Sequence, residues 1–205
     1  MTCYDKISEV HEEWKPIDPS ISLDELIDIL SKANIPLDQY GKGAAKKVDN
    51  LHNELTQGEC AMRVGPNYEL SRDVNLVWVD VICTLSNGDV FILREDRQEF
   101  KDGRTRRRSL PFSLGEKMKA DEDTSPAAMR ALSEEIGVDS VDGLYKIGEE
   151  SEKFTSDTYP GLEGTYVSTS YVASIPEAAY KAEGYVEYQA EKDNFYVWEL
   201  LRSAQ

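Results

Sequence analysis

A chain of 205 residues, 40% apolar and 30% charged, has the size and balance of one medium domain, or one domain with a small extension. Its net charge of −16 argues against a general nucleic-acid binder. Its longest apolar run, NLVWVDVICTL, is interrupted by Asp80 and falls far short of the ~20 residues that cross a bilayer. Cys3, Cys60 and Cys83 are odd in number, form no CxxC pair and have only His11 and His52 for company, so no zinc site is expected and a reduced, cytoplasmic setting is. The opening MTCYDKISEVHEEW lacks the basic-then-apolar order of a secretory signal.

In chain order, Ser22 opens a helix with a capping box to Glu25, and Leu23, Leu26, Ile27 and Leu30 continue at helical spacing. NIPLDQYGKG breaks it, and AAKKVDNLHNEL reads as a second helix with Gly58 beyond its end. Short strands are expected at CAMRVG and YELSR around the turn GPN, then at LVWVDVICTL and DVFILRE about a hairpin turn SNGD. RTRRRSLPFS reads as a further strand. A loop and the helix PAAMRALSEEI follow, then strands at GLYKIG, GTYVSTSYVASI and NFYVWELL. Strands, one helix and strands again predict an α+β sandwich. Residues 1–60 form a small helical extension in this reading, and 61–205 the main domain.

Charge is unevenly placed. The segment Arg94 to Arg108 carries +3, leaving −19 for the remainder. Screening over ~8 Å at physiological salt keeps distant acids from cancelling a local basic patch, so a compact anionic ligand suits it better than a long polyanion. If RTRRRSLPFS is a strand, Arg104, Arg106 and Arg108 share one face and Arg107 takes the other. Arginine binds phosphate bidentately, which makes this strand a candidate substrate-phosphate clamp. An edge strand defended by charge, or pairing with nearby acids, is the alternative.

The helix after the loop is predicted with Ser125 as N-cap, Pro126 at the first helical position and Gly137 as a left-handed stop. Met129, Leu132 and Ile136 form one buried stripe; Ala131, Glu134 and Glu135 share another face. Two adjacent carboxylates in a last turn oppose the helix dipole. Either they are solvated or something cationic meets them.

The stretch LGEKMKADEDTSPAAMRALSEEIGV resembles the Nudix box, G-x5-E-x7-R-E-U-x-E-E-x-G-U with U aliphatic. Placing Arg130 on the motif arginine matches Glu122, Leu132, Glu134, Glu135, Gly137 and Val138. The opening glycine is Glu116 here, preceded by Gly115, and the glutamate after the arginine is Ala131. The resemblance covers roughly residues 75 to 200 and implies a Nudix-type α/β/α sandwich. It implies Glu134 and Glu135 as ligands of Mg²⁺ or Mn²⁺, with Glu122 and Arg130 bracing the loop. Glu116 is a candidate replacement for the carboxylate lost at Ala131, the alternative being a solvent-facing turn residue. Clustered oxygen ligands suit hard divalent ions, which neutralise a diphosphate and acidify water. The expected function is therefore metal-dependent hydrolysis of a diphosphate linkage in a nucleoside-diphosphate derivative or similar phosphorylated small molecule. The alternative is a catalytically silent Nudix-fold module that binds a phosphorylated ligand or a protein partner.

Overall fold

In a computed structural model of the protein, residues 14–203 are described, so Cys3, His11 and most of the opening stretch lie outside the described residues. The elements run β1 (Lys15–Pro16), α1 (Leu23–Lys32), α2 (Val48–Thr56), β2 (Ala61–Val64), β3 (Leu70–Thr84), β4 (Val90–Phe100), β5 (Thr105–Arg106) and β6 (Leu114–Lys117). After these come α3 (Thr124–Ile136), β7 (Gly143–Thr155), β8 (Glu163–Ile175), β9 (Tyr185–Tyr188) and β10 (Lys192–Arg202). This is an α+β fold. No helix among the described residues is long and apolar enough to cross a membrane.

The chain divides into two compact units, one of residues 1–75 with 151–167, the other of 76–150 with 168–205. In the first unit the capping box forms as the sequence predicts. Ser22 Oγ accepts from Glu25 N at 3.3 Å, and Ser22 N donates to Glu25 Oε2 at 3.0 Å. Leu26 and Leu30 of α1 and Leu51 and Leu55 of α2 are buried. Helix α2 starts at Val48, later than AAKKVDNLHNEL suggests, because Lys47 is extended and serves as its N-cap. Strands β2 and β3 pair antiparallel with Met62 opposite Arg72.

In the second unit the SNGD turn closes as expected. Leu85 N donates to Asp89 O at 2.9 Å, and Gly88 adopts φ 91°, a left-handed conformation that glycine tolerates. Strand β3 pairs with β4 beside the turn and with β6 through Trp78 opposite Gly115; β4 pairs with β10, and β10 with β9. Val77, Val79 and Val81 alternate inward and pack with Leu93, Leu114, Ala128, Leu132 and Ile136, so α3 lies against this face. YELSR and LVWVDVICTL prove to be parts of one 15-residue strand, β3.

The arginine strand is the main departure. Only Thr105 and Arg106 pair with β4, opposite Glu99 and Gln98, and pairing resumes at Leu114. The intervening stretch is irregular because its polar groups are engaged elsewhere. Arg107 bonds Asp96, and Arg108 bonds Glu95 at 2.7 and 2.6 Å. Pro111 has no N–H to give a ladder. Ser113 Oγ accepts from Val81 N at 2.9 Å and donates to Leu93 O at 2.6 Å. The helix start also differs. Asp123 is the N-cap of α3, without a side-chain cap bond, and Ser125 lies inside the helix.

Candidate functional site

Arg130, in α3's second turn and largely buried, gathers the carboxylates of the box. Its Nε and Nη2 each donate to Glu122 at 2.9 Å, and Nη2 also reaches Lys117 O at 2.9 Å. Nη1 lies 3.2 Å from both Glu116 Oε1 and Glu134 Oε2. A strand, a loop and a helix are tied together at one guanidinium. Five donors in a fixed fork explain why an arginine holds this place. The Arg130 bond holds the Glu122 carboxyl below its ordinary value, and these hydrogen bonds push the arginine's own value up.

Glu134 and Glu135 have opposite surroundings. Glu134 is 54% exposed and pairs with Arg130 one turn back. Glu135 is buried, and its Oε2 accepts from Tyr196 Oη of β10 at 2.6 Å. Burial pushes the Glu135 carboxyl up to about 8; Tyr196's hydrogen bond opposes the rise, and the charges of Glu187, Glu116 and Glu95 add to it. Its Oε1 is buried with no hydrogen-bond partner among the described residues. Tyr196 in turn is raised by its own burial and by Glu135. Ala131, at the box position of the missing glutamate, is wholly buried. The face expected to hold Ala131, Glu134 and Glu135 together is therefore split between the interior and solvent.

A divalent ion would have to meet these donors. Among the described residues, no group of three or more His, Cys, Asp and Glu side chains is arranged to hold a metal ion. Glu116 and Glu134 are turned to Arg130. The unpartnered Glu135 Oε1 is the feature that suits a cation, since buried polar atoms are nearly always paired. A cation would have Glu135 Oε1 as its one unpaired carboxylate oxygen here, while Glu116 and Glu134 are held by Arg130.

The arginines expected to clamp phosphate are dispersed. Arg104 is exposed and pairs with Asp102 at 2.8 Å, and Arg106 is exposed on β5. Only Arg108 reaches inward, to Glu95, whose side chain is 2% exposed. With Arg94 and Arg107 it lines an open cavity of about 410 Å³. Sequence reasoning missed Tyr196, Glu95, Gln98, Glu187 and Lys192, which come from three strands and share no short spacing. Their one sequence-level signal is a polar residue on a strand's inward face, and that face is not known until the strands are paired.

No protein-family model matches the chain, and no curated protein matches it. Among solved structures, a MutT/nudix family protein from Enterococcus faecalis is 18% identical, with TM-score 0.42, over 64% of this chain and 45% of its own. The match thus spans less than half of that protein. A C. elegans Ap4A hydrolase is 12% identical, TM-score 0.37, over 62% of this chain and 80% of its own. The NUDIX domain of Shewanella oneidensis NrtR, complexed with ADP ribose, is 14% identical, TM-score 0.37, over 63% and 73%. With every one of these TM-scores below 0.5, a Nudix reading of this chain stands on its own residues.

Proposed function

We propose that the protein is a Nudix-like phosphohydrolase acting on a diphosphate linkage in a nucleoside-diphosphate derivative or similar phosphorylated small molecule. The observation that carries this reading is the convergence of Glu116, Glu122 and Glu134 on Arg130, beside a buried Glu135 that keeps one oxygen unpaired. Glu134, Glu135 and Glu116 are the residues that would hold Mg²⁺ or Mn²⁺. When bound, such an ion supplies charge neutralisation of the diphosphate and acidifies water. Arg130 and Glu122 hold the loop between β6 and α3 in register with the helix. Tyr196 fixes one oxygen of Glu135 and so aims the other. Arg108, rather than Arg104 or Arg106, is the arginine of the segment placed to meet a substrate phosphate. The buried Cys60 and Cys83 suit a reducing, cytoplasmic setting.

A second reading is favoured by Ala131. A buried methyl group stands where the box carries a carboxylate, which suits a module that binds a phosphorylated ligand without cleaving it. Incubation of a panel of diphosphate compounds with Mg²⁺ or Mn²⁺, with the phosphomonoester products separated by chromatography, distinguishes the two. Wild type is expected to turn over at least one compound, and Glu135→Gln to lose about 10²-fold or more, as for loss of one positioned group. Inactivity of wild type on every compound would overturn the hydrolase in favour of the binding module.

A further inference from the structure

Lys192 opens β10, opposite Phe100 of β4, and its side chain is half-buried. In the amide orientation that satisfies its cationic neighbours, the Gln98 side-chain oxygen lies 2.7 Å from the Lys192 ammonium, 3.1 Å from Arg108 Nη2 and 3.0 Å from Asn194 Oδ1. Gln98 is buried. Two cations that share one neutral acceptor repel each other, and burial together with Arg108 depresses the Lys192 ammonium below its ordinary value. Arg106 adds to that repulsion.

The nearby carboxylates are spent on other partners. Glu95 gives one oxygen to Arg108 Nε and the other to Arg108 Nη2. Glu187 accepts from Asn194 at 2.5 Å and from Gln189 at 2.6 Å. Their charges still favour the Lys192 cation from a distance, but among the described residues Lys192 makes no ion pair. An ammonium has three N–H groups, and Gln98 takes one. Arg108 Nη1 has no hydrogen bond among the described residues. The pair therefore keeps unused donors of like charge, in a partly desolvated place where a charge-assisted bond is strong. Glu95 and Glu187 act on both Lys192 and Glu135, and the charge of Glu135 is felt by Arg108, so these groups share one electrostatic neighbourhood.

We propose that Lys192 and Arg108, brought together at the Gln98 amide, form an anion subsite that takes a phosphate group of the diphosphate ligand. This rests on the reading above for the class of ligand, and adds the residue that recognises it. An anion seated there relieves the repulsion between the cations, and Gln98 spaces them by bonding both. Glu95 serves as the positioning residue, because its bidentate grip leaves Arg108 Nη1 as the free end of the guanidinium. A lysine that merely closed the sheet edge would need none of these unused donors.

The test is calorimetric titration of the full chain with inorganic diphosphate, in EDTA and without added metal. Wild type is compared with Lys192→Met and Lys192→Arg, each checked for folding by its urea midpoint. Lys192→Met is expected to weaken binding about tenfold, the scale of one charge-assisted hydrogen bond, and Lys192→Arg to restore most of it. Unchanged affinity in folded Lys192→Met overturns the subsite. Should that variant not fold, acetylation of wild type decides the matter: diphosphate is expected to protect Lys192, and equal labelling with and without it overturns the proposal. Because neither readout needs turnover, binding without hydrolysis keeps the subsite and removes the hydrolase. Hydrolysis with no effect at Lys192 does the reverse.

Discussion

Glu134 and Glu135 are neighbours in sequence, yet a step of about 100° around the helix sends one to solvent and the other beneath Tyr196. The consequence is measurable without any metal. The Glu135 carboxyl has an ordinary value of 4.5 and is raised to about 8 in the folded protein. Between those values the native state holds a proton that the unfolded chain releases, so this residue's contribution is fully present below the lower value. It is lost as pH rises through the upper one, at no more than about 1.4 kcal/mol per pH unit for one proton. Glu135→Gln has no such proton to lose. Urea midpoints in EDTA from about pH 5 to about pH 9 should therefore fall less steeply for Glu135→Gln than for wild type. Parallel slopes would show that Glu135 is ionised in the folded protein.

At the scale of the element, α3 answers the question that its two terminal carboxylates raise. Neither faces the helix dipole as a bare anion. Glu134 is paired with Arg130, while burial holds Glu135 toward its neutral form. The helix also buries Leu132 and, beside it, Ala127, Ala128 and Ala131, whose small side chains bring its backbone close to what it packs on. A carboxylate put into that contact has no room and no cation. Ala131→Glu is thus expected to cost about 3 kcal/mol or more without metal. If the new side chain reaches Glu135, saturating Mn²⁺ should raise its melting temperature by more than it raises that of wild type. An equal shift in both proteins, read by thermal scanning, would place residue 131 away from any cation.

Among the described residues, each unit carries buried charge. In the first unit Arg72 donates to Glu54 at 2.5 Å and to Tyr166 Oη at 3.0 Å, and its guanidinium lies 4.9 Å from the centre of the Tyr159 ring. Lys46 meets the other Glu54 oxygen at 2.8 Å. Arg72 and Glu54 are both buried, so removing one partner strands the other. Glu54→Ala should destabilise by about 3–5 kcal/mol, and Glu54→Gln by less, since an amide oxygen still accepts from Arg72. Urea unfolding followed by circular dichroism checks the order. Equal losses would show that the charge of Glu54, rather than its hydrogen bonds, is what Arg72 requires.

The sequence by itself determined the features that depend on a few consecutive residues. The Ser22–Glu25 box, the SNGD turn, the left-handed stop at Gly137 and the spacing that brings Glu122 to Arg130 all follow from local dihedrals and side-chain reach. The alternating valines of β3 were equally legible, because a period of two fixes which residues share a face. Only the tertiary structure decided where the arginine segment leaves the sheet, since that turns on Glu95 and Asp96 of another strand. It alone set the protonation of Glu135, whose partner Tyr196 lies 61 residues away. It alone brought Lys192 and Arg108 to one amide oxygen. Charge state and recognition depend on burial and on what a distant strand carries to the same point, and no spacing within one segment encodes that.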